Sequence, residues 1–219
     1  MPHLKSTIEF HVPEPTLRRL PWYLAFAKLA LQQGESFLSS TRIAKSIAVD
    51  ASMVAKDLSF VKISGRTRVG YDVNELVTVL EHFLGFTDSH QAYLFGVGNL
   101  GGALMHDNGL QQFGMEIKAG FDVRHELTGT SINHIPIHHI DKFAELQQQT
   151  GIHIGILTVP VDKAQEVSDI MVKGGIKAIW NFTPYRIVVP ENVIVQNTSI
   201  YAHLAVRYNR LNALKELDL

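Results

Sequence analysis

The chain has 219 residues, 46% of them apolar, and its 20 basic and 21 acidic side chains leave a formal charge of −1. That fits one large domain or two modest ones with ample core, and the global charge argues against a strongly basic nucleic-acid binder. Cysteine is absent, which excludes a disulfide scaffold, a thiolate nucleophile and cysteine metal sites together.

No run nears the ~18 consecutive apolar residues of a membrane helix. Met1-Pro2-His3-Leu4-Lys5 lacks the apolar region of an export signal, so a cytoplasmic location is expected. Up to about Thr87 there is no alternation of strands and helices. Pro13-Glu14-Pro15 marks a helix start, since proline is tolerated in a first turn. Leu17, Leu20, Leu24, Ala27 and Leu31 then recur at helical spacing until Gly34. Pro21 inside that pattern requires the helix to begin there or to bend.

Ser39-Ser40 heads a short helix burying Ile43, Ala44 and Ile47, and after a turn at Ala48-Val49, Asp50 caps a second helix from Ala51 to Phe60. Val54, Leu58 and Val61 form its apolar face and leave Ser52, Lys56 and Ser59 outward. Two short helices so joined make a helix-turn-helix. Ser64 to Tyr71, with glycines bracketing Arg66 and Arg68, reads as a hairpin or wing. Asp72 with Glu75 caps a further helix burying Leu76, Val77, Leu80, Phe83 and Leu84. From Thr41 to Tyr71 six cationic side chains face two acidic ones, a local excess of +4. A helix entering the major groove needs short side chains for approach and a cation for guanine edges; a basic wing adds phosphate contacts. The candidate DNA contacts are Ser39, Ser40, Arg42, Ser52, Lys56, Ser59, Arg66 and Arg68. A solvated cationic face is the competing explanation.

Past a linker at about 85–91 strands and helices alternate. Ala92-Tyr93-Leu94-Phe95 suits a buried strand and Gly102-Ala103-Leu104-Met105 a helix, with Gly96-Val97-Gly98-Asn99-Leu100-Gly101 between them. In that context G-x-G-x-x-G points to a dinucleotide. The first glycine allows the turn, the second lets backbone approach a pyrophosphate, and the third packs helix on strand. The helix N-terminus offers free N–H groups to the anion. Met115 to Phe121 is a second strand ending in Asp122, roughly 20 residues on, where a carboxylate holds the adenosine ribose and disfavours a 2′-phosphate. Arg124 lies close enough to weaken that preference.

A loop with Gly129 and Asn133 precedes a short strand, Ile135-Pro136-Ile137, and a helix begun by Asp141 and ended by Gly151. Ile152 to Leu157 is a central strand closing on Thr158-Val159-Pro160. A helix bearing Ala164, Val167, Ile170 and Met171 follows. Ile176 to Trp180 closes on Asn181-Phe182-Thr183-Pro184, and Val193 to Gln196 is the last strand. Ligands of open parallel sheets sit outside the carboxyl ends of the strands. Thr158, Val159, Pro160, Asn181, Phe182 and Thr183 are therefore expected around a nicotinamide, and Gly96 to Gly101 with Asp122 and Val123 around the rest of NADH or NAD+. His134, His138 and His139 are read as surface residues rather than a metal site, and no residue is assigned a catalytic role. From Ser199 to Leu217 there is neither Gly nor Pro. Ile200, Leu204, Tyr208 and Leu211 make an apolar stripe, for packing on its own domain or exchange with a partner subunit.

Arg19-Leu20-Pro21, Ser39-Ser40, Lys56-Asp57-Leu58-Ser59, Val69-Gly70-Tyr71, the glycine motif, Phe121-Asp122-Val123, Leu157-Thr158-Val159-Pro160, Gly175-Ile176-Lys177 and Asn181-Phe182-Thr183-Pro184 span most of the chain. In these pieces it resembles the Rex family of redox-sensing bacterial transcriptional repressors. The resemblance implies an all-α, winged-helix DNA-binding domain (residues 1–87) and an α/β Rossmann domain with a doubly wound parallel sheet (88–198). A C-terminal helix (199–219) would be exchanged across a homodimer. It further implies a non-enzymatic repressor that binds palindromic operator DNA and releases it when NADH binds. Three positions depart from the family: Ala55 stands for a basic residue, Asn108 for a tyrosine and Ser199 for an aspartate. In the family that Asp and Tyr, with an arginine matched by Arg19, are associated with coupling the cofactor to domain rearrangement. The residues alone leave two alternatives, a small NAD-dependent oxidoreductase and a nucleotide- or CoA-binding module without DNA contacts. An apolar pocket from Val159, Pro160 and Phe182 would favour the neutral reduced ring over the charged oxidised one.

Overall fold

A computed structural model describes residues 12–217, with side chains to residue 213. The reading of residues 1–5 lies outside the described residues. The chain separates into two compact units, one ending at Asp88 and the other beginning at Ser89.

In the first unit α1 (Glu14–Gln32) runs through Pro21 without a break. Strand β1 (Phe37–Leu38), α2 (Ser40–Ile47) and α3 (Ala51–Phe60) follow. Strand β2 (Tyr71–Asp72) pairs antiparallel with β1 and leads into α4 (Val73–Phe83). The segment before β2 folds back on itself through a single antiparallel bridge, Arg66 with Gly70, which makes the wing. Leu20, Tyr23, Leu24, Ile43, Val54, Leu58, Leu76 and Leu80 form the core. Leu31 and Phe83, expected inside, are 36% and 38% exposed. Each falls in the last turn of its helix, past the residues that pack.

Ser39 caps α2 by accepting the Arg42 N–H at 3.2 Å, and Asp72 caps α4 by accepting the Glu75 N–H at 3.1 Å. Asp50 occupies the corresponding position of α3 without a side-chain cap bond, contrary to expectation. Ser39→Ala is expected to cost the first unit about 1 kcal/mol, read as a lower denaturant midpoint at unchanged slope.

The second unit is built on a seven-stranded sheet. Its elements in chain order are β3 (His90–Phe95), α5 (Asn99–His106), α6 (Gly109–Gln112), β4 (Met115–Asp122), β5 (Ser131–Ile132) and β6 (Ile135–His139). These are followed by α7 (Phe143–Thr150), β7 (Ile154–Leu157), α8 (Ala164–Lys173), β8 (Ala178–Asn181), β9 (Ile194–Asn197) and α9 (Ile200–Leu217). Strand order is β5-β6-β4-β3-β7-β8-β9, parallel throughout except for the β5–β6 pair. In the sequence the residues of β5 read as loop. The strand pairs with β6 across Asn133 and His134, both at positive φ (50° and 65°), the geometry of a type I′ hairpin. Asp141 lies in a 3-10 turn, Ile140–Lys142, and α7 begins only at Phe143. His138 and His139 lie on β6, and His139 stacks on His125 at 5.3 Å. Among the described residues there is no metal-binding cluster, and no helix is long and apolar enough to cross a membrane.

Candidate functional site

From β3 the sheet grows through β4 and β6 on one side and through β7, β8 and β9 on the other. The carboxyl ends of β3 and β7 thus flank the point where strand order reverses, the crevice in which such sheets bind ligands. The glycine motif sits there, and its three glycines meet three different surroundings. Gly96 has φ +98°, and a Cβ on it would stand 2.8 Å from the Thr158 carbonyl oxygen. A Cβ on Gly101 would run into the Gly96 carbonyl and come within 3.0 Å of both Leu94 and the Thr158 hydroxyl. A Cβ on Gly98 would meet nothing within 4 Å. Gly98 lines a cavity of about 720 Å³, so its open side is room for a ligand.

The turn is pinned. The Gly96 N–H donates to the Phe121 carbonyl at 2.8 Å, and the Thr158 hydroxyl donates to the carbonyls of Phe95 (3.1 Å) and Gly96 (2.7 Å). Phe95 and Phe121, stacked at 5.2 Å, also line the cavity and give it a rigid wall. Preorganised backbone of this kind binds an anion without reorganising first.

Asp122 is 9% exposed and its carboxylate is fully engaged. Oδ2 accepts the Val97 N–H at 2.8 Å and Arg124 Nη2 at 3.2 Å; Oδ1 accepts the Arg124 N–H and Nε, each at 3.0 Å. Burial opposes ionisation, yet the bonds from Arg124 and the Val97 N–H outweigh it and hold the carboxyl below its ordinary range. Asp122, the expected ribose acceptor, also braces the glycine turn, and both it and Arg124 line the cavity. Val123 also lines it, 63% exposed.

A second cavity, of about 300 Å³, adjoins Thr158, Val159 and Pro160 and is closed by Leu100, Phe182 and Thr183. It carries no carboxylate. Ile200 and Tyr201 from the first turn of α9 complete the wall, a contribution the sequence did not signal. Asn181 does not line it. Fully buried, it donates to the Tyr185 carbonyl (2.7 Å) and Asn197 (2.8 Å) and accepts from Thr183, so it shapes the loop that presents Phe182. Val97 is buried against Gly120 rather than facing a ligand, and Asn99 is exposed at the start of α5.

In the first unit Ser52, Lys56 and Ser59 share the exposed face of α3, with Ala55 among them. Ser59 Oγ donates to the Lys56 carbonyl at 2.6 Å. Ser39 and Ser40 head α2, and Arg42 is paired with Glu35. Arg66 lies over the Phe37 ring at 5.3 Å, while Arg68 is exposed at the wing tip with φ 64°. Behind α3 lies a group that local pattern did not reveal. Asp57, 1% exposed, accepts from Arg19 Nε (2.6 Å) and Nη2 (2.8 Å), from the Tyr23 hydroxyl (2.7 Å) and from the Thr16 hydroxyl (2.8 Å). Burial works against its charge, but Arg19 first and then Tyr23 and Thr16 hold the carboxyl below its ordinary range. Burial and the Asp57 bond push the Tyr23 phenol up to about 12. Arg19 thus has a partner, in its own unit. Ser199 caps α9 by accepting the Ala202 N–H at 3.3 Å, and Asn108 accepts from Asn133 at 3.2 Å.

Comparison with known proteins matches this division of labour. A family model described as "Putative DNA-binding protein N-terminus" matches residues 11–59, and one described as "CoA binding domain" matches residues 87–185. The chain is 64% identical over 201 residues to the redox-sensing transcriptional repressor Rex of Bacteroides fragilis, covering 92% of this chain and 91% of that one. The crystal structure of RSP in complex with β-NAD+ and operator DNA is similar at a TM-score of 0.88 and 31% identity, over 94% of this chain and 95% of that one. RSP in complex with β-NADH is similar at a TM-score of 0.84 and the same identity, over 94% and 97%.

Proposed function

The chain belongs to the Rex family of redox-sensing transcriptional repressors, and from that premise we propose that it represses transcription by holding palindromic operator DNA and releases it when NADH binds. The observation that carries this reading is the open side of Gly98, facing a preformed cavity at the switch point of the sheet, in a chain whose other unit presents a helix-turn-helix and wing. The pyrophosphate lies over Gly98 and the α5 N-terminus, the adenosine in the larger cavity and the nicotinamide in the smaller one.

Discrimination follows from charge. The oxidised ring is cationic and the reduced ring neutral, and the smaller cavity offers the cation Val159, Pro160 and Phe182 but no carboxylate. Desolvating an uncompensated charge is costly, so the reduced form is favoured.

The assembly we propose is a homodimer with exchanged C-terminal helices. Ile200, Tyr201, Leu204, Tyr208 and Leu211 of α9 are between 37% and 66% exposed within one chain, a long apolar surface for a helix without a cover. Its first turn also walls the nicotinamide-side cavity, so the ligand touches the element that would set the spacing of the two reading heads. The role is cytoplasmic and non-enzymatic, with residues 1–87, 88–198 and 199–219 as reader, sensor and coupling helix. Ser39, Ser40, Arg42, Ser52, Lys56, Ser59, Arg66 and Arg68 serve the DNA.

Gel-shift titration of a palindromic duplex tests the reading. NADH is expected to weaken operator binding by about 5- to 150-fold, and rising salt to weaken it steeply through release of phosphate counterions. Equal operator affinity with NADH and with NAD+ would remove the sensing function; binding insensitive to salt would remove the DNA interface.

A further inference from the structure

The smaller cavity has walls from two separate parts of the chain. Phe182 and Thr183 come from the loop after β8, and Ile200 and Tyr201 from the first turn of α9. β8 and β9 run parallel and side by side, with Trp180 opposite Gln196 and Asn181 opposite Asn197. Both walls thus spring from neighbouring strand ends.

Bonds outside the sheet ladder tie those ends together, through residues that do not line the cavity. The Trp180 indole N–H donates to the Thr198 hydroxyl at 2.9 Å, and the Thr198 N–H donates to the Asn181 carbonyl at 2.8 Å. Asn181 spends its whole amide. Nδ2 donates to Asn197 Oδ1 (2.8 Å) and the Tyr185 carbonyl (2.7 Å), and Oδ1 accepts the Thr183 N–H (2.9 Å) and hydroxyl (2.8 Å). Trp180 packs on Phe182, ring centroids 4.5 Å apart. Ser199 follows Thr198 at once and caps α9, so the helix begins at the tether.

The far end of the loop is held as well. The Val188 N–H donates to Gln165 Oε1 at 2.9 Å, and the Val188 carbonyl accepts Gln165 Nε2 at 2.8 Å. With that end fixed on α8, a displacement of Phe182 passes to Trp180 and Asn181 instead of being absorbed along the loop. A fully satisfied polar network in a low-dielectric interior is stiff enough to pass it on.

We propose that Trp180 and Thr198, with Asn181 beside them, are positioning residues that carry the redox response from the ring pocket to α9. A ring seated between Phe182 and Tyr201 sets how far apart the two walls stand. The Trp180–Thr198 bond converts that separation into an angle of α9. The inference rests on the repressor reading above and names the residues through which its ligand acts.

Operator affinity of the full chain, measured with and without saturating NADH, tests it, since the ratio cancels any change in DNA binding itself. Thr198→Val removes the acceptor of the indole N–H at nearly the same shape, and Thr198→Ser keeps it. Thr198→Val is expected to hold NADH affinity within about twofold of the parent and to shrink the NADH response by about threefold or more, the scale of one hydrogen bond. Thr198→Ser is expected to respond as the parent does. Trp180→Phe removes the same bond from its other side, so adding it to Thr198→Val is expected to cost less than the product of the two separate effects. A valine variant whose response shrinks by less than that margin overturns the proposal, as does a serine variant no better than the valine one. A loss confined to NADH affinity overturns it too, by reducing these residues to the shape of the pocket. If the variants do not fold, amide exchange in the unaltered chain decides. The Thr198 N–H is expected to be protected differently with NADH and with NAD+, and equal protection overturns the proposal. A parent chain whose operator affinity ignores NADH strikes the repressor reading, and this inference with it.

Discussion

Asp57→Ala is expected to cost the first unit about 3–5 kcal/mol, the penalty for breaking a buried ion pair by removing one partner. Domains are stable by only about 5–15 kcal/mol, so this is a large share. The substitution strands three donors at once: the Arg19 guanidinium and the hydroxyls of Tyr23 and Thr16, all of which converge on the one carboxylate. It also frees α3. Asp57 lies on the inner side of the helix whose outer side presents Ser52, Lys56 and Ser59, and its bonds tie that helix to α1. Operator binding is expected to fall even at temperatures where the variant is folded, because the reading face is no longer held at one angle.

Asp57→Asn separates the two effects. It keeps the volume and an acceptor oxygen but lacks the charge, so intermediate stability with partly retained DNA binding is expected. Because the folded carboxyl titrates below its ordinary value of 3.8, its contribution is whole above about pH 4 and is lost as pH falls through the folded value. Thermal denaturation at neutral pH, with each unit followed separately, checks the magnitude. A variant as stable as the parent would show that the network is decoration.

How much of this was readable in advance depended on the range of the interactions. The glycine motif, its flanking strand and helix, and the caps at Ser39 and Asp72 act over a few residues, and each was legible. The Asp57 network was not, because its members lie 34 to 41 residues from Asp57. One signal was present: Asp57 stands three residues past Val54 and beside Leu58, on the apolar side of α3, where a carboxylate requires a cation from elsewhere. Asn181 misled for the opposite reason. A residue after a strand end looks the same whether it faces a ligand or locks its loop, and only its bonds to Tyr185, Asn197 and Thr183 distinguish the two. β5 is not legible in the sequence because its turn, Asn133-His134, lacks the glycine that usually marks a type I′ hairpin. The wall that Ile200 and Tyr201 add to the smaller cavity depends on where α9 starts in space, which periodicity does not specify.

Gly98→Ala and Gly96→Ala are expected to divide folding from binding. Gly98 has φ −79° and ψ −162°, backbone that any residue adopts, and an added methyl touches nothing. Stability should stay within about 0.5 kcal/mol of the parent. The methyl does, however, stand in the cavity, where the proposed function has a pyrophosphate approach the backbone. NADH affinity should therefore fall by more than about tenfold, or ~1.4 kcal/mol, and operator binding should cease to respond to NADH. Gly96→Ala differs because φ +98° costs an L-residue about 1–2 kcal/mol. Its Cβ also presses on the Thr158 carbonyl, which belongs to backbone that the Thr158 N–H and hydroxyl have already tied to β3 and cannot move freely. Overpacking there adds about 1–3 kcal/mol, so both the melting temperature and NADH binding should drop. Calorimetry with NADH beside thermal denaturation reads both variants. If Gly98→Ala bound NADH as the parent does, the dinucleotide would not lie across this turn, and the cavity beside it would need a different ligand.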